Sequence, residues 1–373
     1  MSEQKPASIK PPLSPWPDRL RNLATVMVIG IHVAAPIAHG EGSDFNGHWW
    51  WAGNFWNSLT RPAVPLFVML SGYLLLSKDY PLPDFLKKRF SRVIIPAVFW
   101  MLVYSFYGYM AKGTPSTIGE ALRNVVTGPV HYHMWFIYLI IGLYLVYPVL
   151  RAWVRTATNQ EFLYFFIMCS VGTWIYKFFA TFCQLPFGIY FELFNNNCGY
   201  FVLGFFLGNR CVNDEQGTLN DKRETINKQQ TDAQSSLFLV NRFLPWMLIL
   251  IGTISTMLAS YVINTFFWNG QTQVYFYDYL TPNVAVSAIG WFLLAKRAFN
   301  SRPLLDIERD FSAASFGIYF AHVAVMDWCG KLGYWHSMAH PIYVTPMLTA
   351  MIACVTFLAI SIIRILPGGQ RVT

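Results

Sequence analysis

Charge is scarce in this chain. Only 12% of its 373 residues are Asp, Glu, Lys or Arg, against about 25% in an average soluble domain. Acidic residues are the scarcer kind, 19 against 27 basic ones, while 54% of residues are hydrophobic and the mean hydropathy is +0.36. That balance excludes an ordinary soluble domain and a disordered one, and points to a chain immersed in lipid. The net charge of +8 does not mark a nucleic-acid binder, because the basic residues stand in short clusters between apolar runs and no recognition motif accompanies them. The six cysteines (Cys169, Cys183, Cys198, Cys211, Cys329, Cys354) lack CxxC spacing, so neither a disulfide framework nor a zinc site is indicated. Cys183 and Cys198 fall near one outer surface, which leaves a single disulfide open. No HExxH or comparable metal spacing occurs. A cleavable leader is also missing: residues 1–18 are polar and proline-rich, and the first apolar run continues to Ala38 without a small-x-small site.

What is present is a series of apolar runs long enough to span a bilayer. They fall near 21–38, 57–76, 92–110, 133–150, 162–180, 196–209, 243–263, 281–299, 312–332 and 344–365. The expected fold is an all-α integral membrane protein, a bundle of about ten transmembrane helices. With an even count, 22 of the 27 Lys and Arg residues fall on the side of the termini, which the positive-inside rule makes cytoplasmic. Residues 1–18 and 366–373 are then cytoplasmic tails. The polar stretch 210–242 lacks apolar residues to bury and reads as a cytoplasmic linker.

His32 stands midway along the first run, with Arg21 ahead of it. A titratable ring halfway through a span is expensive to bury, and function is its default reading. The two residues are eleven apart, about 16 Å at helical rise, so one helix carries a cation at a membrane face and a proton acceptor near the midplane. Neutral imidazole can take a proton from a hydroxyl or briefly carry an acyl group. Its bland alternative is a hydrogen bond to a neighbouring helix.

Arg89 and Arg92 share one helix face at the start of the third run, where two guanidinium forks suit a pyrophosphate or phosphate ester. Topology and lipid headgroups would call for the same residues. Arg61, near the outer end of the second run, either snorkels or meets an anionic or hydroxylated acceptor. Ser71-Gly72-Tyr73 follows on the same run. His131-Tyr-His133-Met-Trp135 opens the fourth, Ser315 to Tyr319 and His322 occupy the ninth with Asp327 beyond, and Glu192 to Asn197 precede the sixth. The loop Gly47-His48-Trp49-Trp50-Trp51 could stack on sugar rings, although an aromatic belt accounts for it as well.

Taken in order, Arg21 and His32, Val64-Pro-Leu-Phe67 leading to Ser71-Gly72-Tyr73, Arg89-x-x-Arg92, His133-Met-Trp135-Phe136 and Ser315-x-Gly-Ile-Tyr319-x-x-His322 resemble the acyltransferase-3 family. The resemblance runs from about residue 16 to 365, and within the family it is closest to the subgroup that O-acetylates enterobacterial common antigen. It implies a transmembrane acyltransferase domain over 19–365 in a bacterial inner membrane. It also implies no permanently bound cofactor, acetyl-CoA or another acyl-CoA as cytoplasmic donor, and a lipid-linked or surface glycan as periplasmic acceptor. By the same resemblance His32 is the essential histidine, Arg21 its neighbouring arginine, and Arg89 and Arg92 the pair that handles the donor. Arg21, on the same membrane face, is added to them as a donor-binding candidate. Arg61, Ser71, Tyr73, His133, Trp135, Tyr319 and His322 are supporting candidates on the acceptor side. Many members carry a glutamate soon after the fourth-span tryptophan. Here Trp135 is followed by Phe136-Ile-Tyr138, which leaves His32 as the main candidate base.

A glycan exporter would also use aromatic-rich spans with buried polar groups. The basic clusters beside a midplane histidine favour an enzyme over that reading, and the polar residues inside spans argue against a purely structural subunit.

Overall fold

A computed structural model of the chain describes residues 14–40, 45–112, 117–183, 197–210, 231–267, 274–335 and 338–373. Among these residues all regular structure is helical. In chain order the helices are α1 (Trp16–Ala38), α2 (His48–Thr60), α3 (Ala63–Leu76), α4 (Leu82–Lys112), α5 (Ile118–Thr127), α6 (Trp135–Thr156) and α7 (Asn159–Cys183). After them come α8 (Cys198–Phe205), α9 (Thr231–Phe266), α10 (Pro282–Ala298), α11 (Asp306–Lys331), α12 (Pro341–Ile365) and the short α13 (Gly369–Val372).

Seven helices are long and apolar enough to cross a membrane: α1, α2 with α3 as one unit, α4, α6, α7, the Arg242–Phe266 part of α9, and α12. The protein is therefore a multi-pass membrane protein. Three further helices stand among them without meeting that criterion, where the sequence predicts spans. The apolar α8 is short, α10 has 17 residues, and α11 carries charges at both ends. Each is shielded by its neighbours, with Phe201, Phe292 and Phe320 fully buried on α8, α10 and α11. A helix covered by protein needs less length and less apolar surface than one facing lipid.

Three boundaries differ from the sequence reading. Gly47 to Trp51, read as an outer loop, is instead the N-cap and first turn of α2. Trp50 there is fully buried and donates its indole N–H to Ala38 O at 3.1 Å, so packing rather than an interfacial belt explains it. The second span thus begins at His48 rather than 57, with a break at Arg61-Pro62. The polar stretch after 210 is shorter than expected, because α9 is already helical at Thr231; residues 211–230 lie outside the described part. Cys183 and Cys198 are not joined to one another, so the disulfide left open between them is not formed.

Helix α1 occupies the centre, packed against α2, α3, α10, α11 and α12. Small residues make this possible: Ala24 and Ala34 are buried almost completely, and a side chain at Gly30 would meet Thr60 of α2 at 2.9 Å. The tightest crossing is between α3 and α8. A Cβ at Gly72 would lie 1.7 Å from Phe201 O, and one at Gly204 1.9 Å from Met69 O, so the two backbones touch.

The base of α1 is pinned by Arg19, which donates to Phe299 O, Arg302 O and Pro303 O at 2.5–3.0 Å and to both Glu308 oxygens at 3.1 Å. These hydrogen bonds from Arg19, together with the Leu305 N–H, hold the Glu308 carboxyl down at about 2. The ends of α1, α10 and α11 that meet here, with those of α3, α4, α6 and α12, form the basic end of the bundle.

Candidate active site

Helical periodicity places one face of α1 toward a cavity of about 980 Å³ between α1, α3, α4, α6, α11 and α12. Arg21, Val28 and His32 are spaced seven and four apart, the repeat of a single face, and all three line it. Phe67, Ser71, Leu74 and Lys78 do the same from α3 and its C-terminal end, and Phe136, Ile140 and Tyr144 from α6.

The cavity is chemically polarised. Its basic end is lined by Arg21, Lys78, Arg89, Arg92, Arg364 and Arg371, and its inner end by His32, His133, Trp135, Tyr279 and Tyr319. Among the described residues no Asp or Glu lines it. Arg21 is partly engaged: its Nη1 donates to Asp18 at 2.6 Å and to the Ser312 hydroxyl at 2.7 Å. Arg364 donates to Ala313 O at 2.8 Å. Lys78, Arg89, Arg92 and Arg371 form no ion pair with a described residue. A site of this kind attracts anions, and its guanidinium forks can grip phosphate oxygens in pairs.

At the inner end, four histidine rings lie close together. His32 is 5.2 Å from His322 and 6.4 Å from His133, measured between ring centres, and His322 is 5.4 Å from His133. His322 is fully buried, with Nδ1 2.7 Å from Tyr319 O and 3.2 Å from Ile318 O. Carbonyl oxygens only accept, so Nδ1 carries the hydrogen and Nε2 keeps its lone pair. No described residue hydrogen-bonds that Nε2, nor the buried Nε2 of His133. His133 is held from its other side: its Nδ1 is 3.1 Å from Nδ1 of His131, and the Tyr319 hydroxyl donates to its backbone carbonyl. No three His, Cys, Asp or Glu side chains among the described residues are arranged to hold a metal ion. The arrangement sets His32 beside a His322 ring whose Nε2 keeps its lone pair, which is equipment for general-base or nucleophilic chemistry.

The structure thus brings Arg21, His32, Ser71, Arg89, Arg92, His133, Trp135 and Tyr319 onto one cavity wall, with His322 immediately behind His32. Ser71 donates its hydroxyl back to Phe67 O at 2.8 Å. Trp135 stacks on Tyr279 at 5.5 Å. Two candidates sit elsewhere. Tyr73 packs on Trp16 at 4.7 Å and under Gly208, joining helices rather than lining the cavity. Arg61, 8% exposed, caps α2 with its guanidinium 5.2 Å from the Tyr277 ring and 5.7 Å from Tyr279. It does not line the cavity, whereas its neighbour Tyr279 does. Of Glu192 to Asn197, only Asn197 lies within the described residues.

Sequence reasoning missed Lys78, Arg364 and Arg371 as site residues, counting them only as charges that orient the bundle. For Lys78 a signal existed, since it continues the Phe67, Ser71, Leu74 face. Arg364 and Arg371 come from the far end of the chain and carry no local mark.

The profile of the acyltransferase-3 family, described as an acyltransferase domain, matches residues 14–365. No curated protein and no solved structure matches the chain. A family match over nearly the whole length, on a helical membrane bundle with a histidine-lined cavity, makes the chain a member of the acyltransferase-3 family and a membrane acyltransferase.

Proposed function

We propose that the protein is an acyl-CoA-dependent O-acyltransferase that moves an acyl group, acetyl in the simplest case, to a hydroxyl of a lipid-linked or surface glycan. The observation that carries this reading is the single cavity with six cations at one end and His32 at the other. The donor's phosphates sit among Arg21, Arg89 and Arg92, and its thioester points inward to His32. The basic end is the cytoplasmic one, as the positive-inside rule requires, so the acceptor arrives from the periplasmic side of a bacterial inner membrane. The same donor and acceptor chemistry fits the subgroup that acetylates enterobacterial common antigen.

Two routes balance. In direct transfer, His32 takes the hydroxyl proton, the oxygen attacks the thioester carbonyl, the C–S bond breaks, and the proton passes to the departing thiolate. In the stepwise route, the His32 nitrogen attacks the thioester carbonyl, the C–S bond breaks and the thiolate leaves with the imidazole proton. The hydroxyl oxygen then attacks the acyl-imidazole, the C–N bond breaks and the hydroxyl proton passes to the freed ring. In either case the neutral Nε2 of His322 is a base within reach of the His32 ring, supporting the positive charge that develops there.

The test replaces His32 by Gln, verifies that the protein reaches the membrane, and follows surface glycans by mass spectrometry. The enzyme reading predicts glycan displayed normally but lacking the acyl mass. Glycan acylated as in the parent strain refutes the role of His32, and glycan accumulating undelivered refutes the enzyme in favour of an exporter.

A further inference from the structure

We infer that the segment following α12, Pro367 to Thr373, is a fixed arm of the donor site whose Arg371 holds phosphate on the incoming nucleotide thioester. The inference rests on the donor reading above and adds to it a residue outside the span of the family match.

The arm is built into the bundle. Gly368, at φ 81°, takes the left-handed conformation that reverses the chain, and a side chain there would be strained. A Cβ at Gly369 would stand 1.7 Å from Ile363 O, so the arm lies directly on the end of α12. Trp100 of α4 donates its indole N–H to Val372 O at 2.9 Å. A Cβ at Gly317 of α11 would be 3.0 Å from Cβ of Thr373. Three helices thus clamp seven residues, a strong restraint for a segment with few apolar side chains of its own.

The clamped backbone presents a side chain that no described residue engages. Gln370, Arg371 and Thr373 line the cavity. Arg371 is exposed, and its guanidinium has no hydrogen bond or ion pair with a described residue. The cavity wall it joins already holds Arg21, Lys78, Arg89, Arg92 and Arg364, with no Asp or Glu side chain among the described lining residues. Gathering like charges raises their mutual repulsion, so a rigid arm that adds a sixth makes physical sense when a polyanion occupies the mouth. A nucleotide bearing a pyrophosphate and a further phosphate is such a ligand, and planar guanidinium forks match its oxygens. Anionic lipid headgroups share that chemistry, so the test must separate the two sources.

The experiment measures coenzyme A binding by calorimetry to full-length protein in nanodiscs of zwitterionic lipid, for wild type, Arg371→Gln and Arg371→Lys. Arg309→Gln serves as control, since Arg309 pairs with Asp306 at the same end and does not line the cavity. Expected is Kd raised about tenfold in Arg371→Gln, partly recovered in Arg371→Lys, and unchanged in the control. Pantetheine, which lacks the phosphates, should bind all variants equally. Wild type that binds coenzyme A as tightly as Arg371→Gln overturns the arm's role and leaves the donor reading standing. Wild type that does not bind coenzyme A overturns both. If coenzyme A binding is indifferent to Arg371→Gln while affinity for anionic-lipid nanodiscs falls, the arm serves headgroups and the inference fails.

Discussion

The His322 ring lies 5.2 Å from the ring of His32, and its Nδ1 hydrogen is committed to the Tyr319 and Ile318 carbonyls. That commitment leaves Nε2 as the one ring atom of His322 able to accept a proton. His322 is therefore read as the partner that supports charge on His32. The His322→Asn variant can still donate to the α11 backbone but cannot act as a base. We expect it to remain folded and to lose turnover by about 100-fold, a typical contribution of acid–base assistance. Turnover within twofold of wild type would show that His322 only fills space.

Arg89 and Arg92 lie on one face of α4 and have no ion-pair partner among the described residues. Lysine keeps their charge but not the fork. Arg89→Lys and Arg92→Lys are each expected to raise KM for acetyl-CoA by about tenfold with little change in kcat, because binding rather than chemistry is weakened. Equal KM values would assign the pair to topology instead.

Glu308 ties α1 to the start of α11 through Arg19, and its carboxyl is drawn from the ordinary 4.5 down to about 2. A folded value below the unfolded one adds stability that is fully present above pH 4.5 and is lost as pH falls through about 2. Thermal unfolding of detergent-solubilised wild type should therefore show Tm falling across that window. Glu308→Gln should start lower and respond less to acid there. A parallel acid response in both proteins would remove the role given to Glu308.

The α3–α8 crossing predicts the most damaging small substitution. Gly72→Ala and Gly204→Ala each place a methyl group within 2 Å of a facing carbonyl oxygen, which the backbones must separate to accommodate. Such overpacking costs about 1–3 kcal/mol, and more where backbone rather than side chain has to move. Size-exclusion profiles and Tm should deteriorate, whereas Gly142→Ala, with nothing within 4 Å, should leave both unchanged.

Much of the site could be read from sequence because membrane composition makes polar residues conspicuous. Arg21 and His32 share a face at helical spacing, and both prove to line one cavity with Arg89 and Arg92. The same logic failed for Tyr73, because neighbouring positions on a helix point in different directions: Ser71 turns to the cavity and Tyr73 to Trp16. It also failed for α2, whose Trp, Gly and Asn content resembles a loop until Trp50 is seen buried against α1. Arg364 and Arg371 were invisible for a topological reason. Arg364 stands in the last turn of α12, and only the reversal at Gly368 returns Arg371 to a cavity that begins more than three hundred residues earlier with Arg21.

The central claim is that the cavity delivers the donor to His32 for chemistry. Its most direct test uses purified protein, labelled acetyl-CoA and extracted glycan, comparing wild type with His32→Gln for both donor binding and label transfer. The account predicts that His32→Gln binds acetyl-CoA as wild type does and transfers no label. Transfer at the wild-type rate by His32→Gln would contradict it.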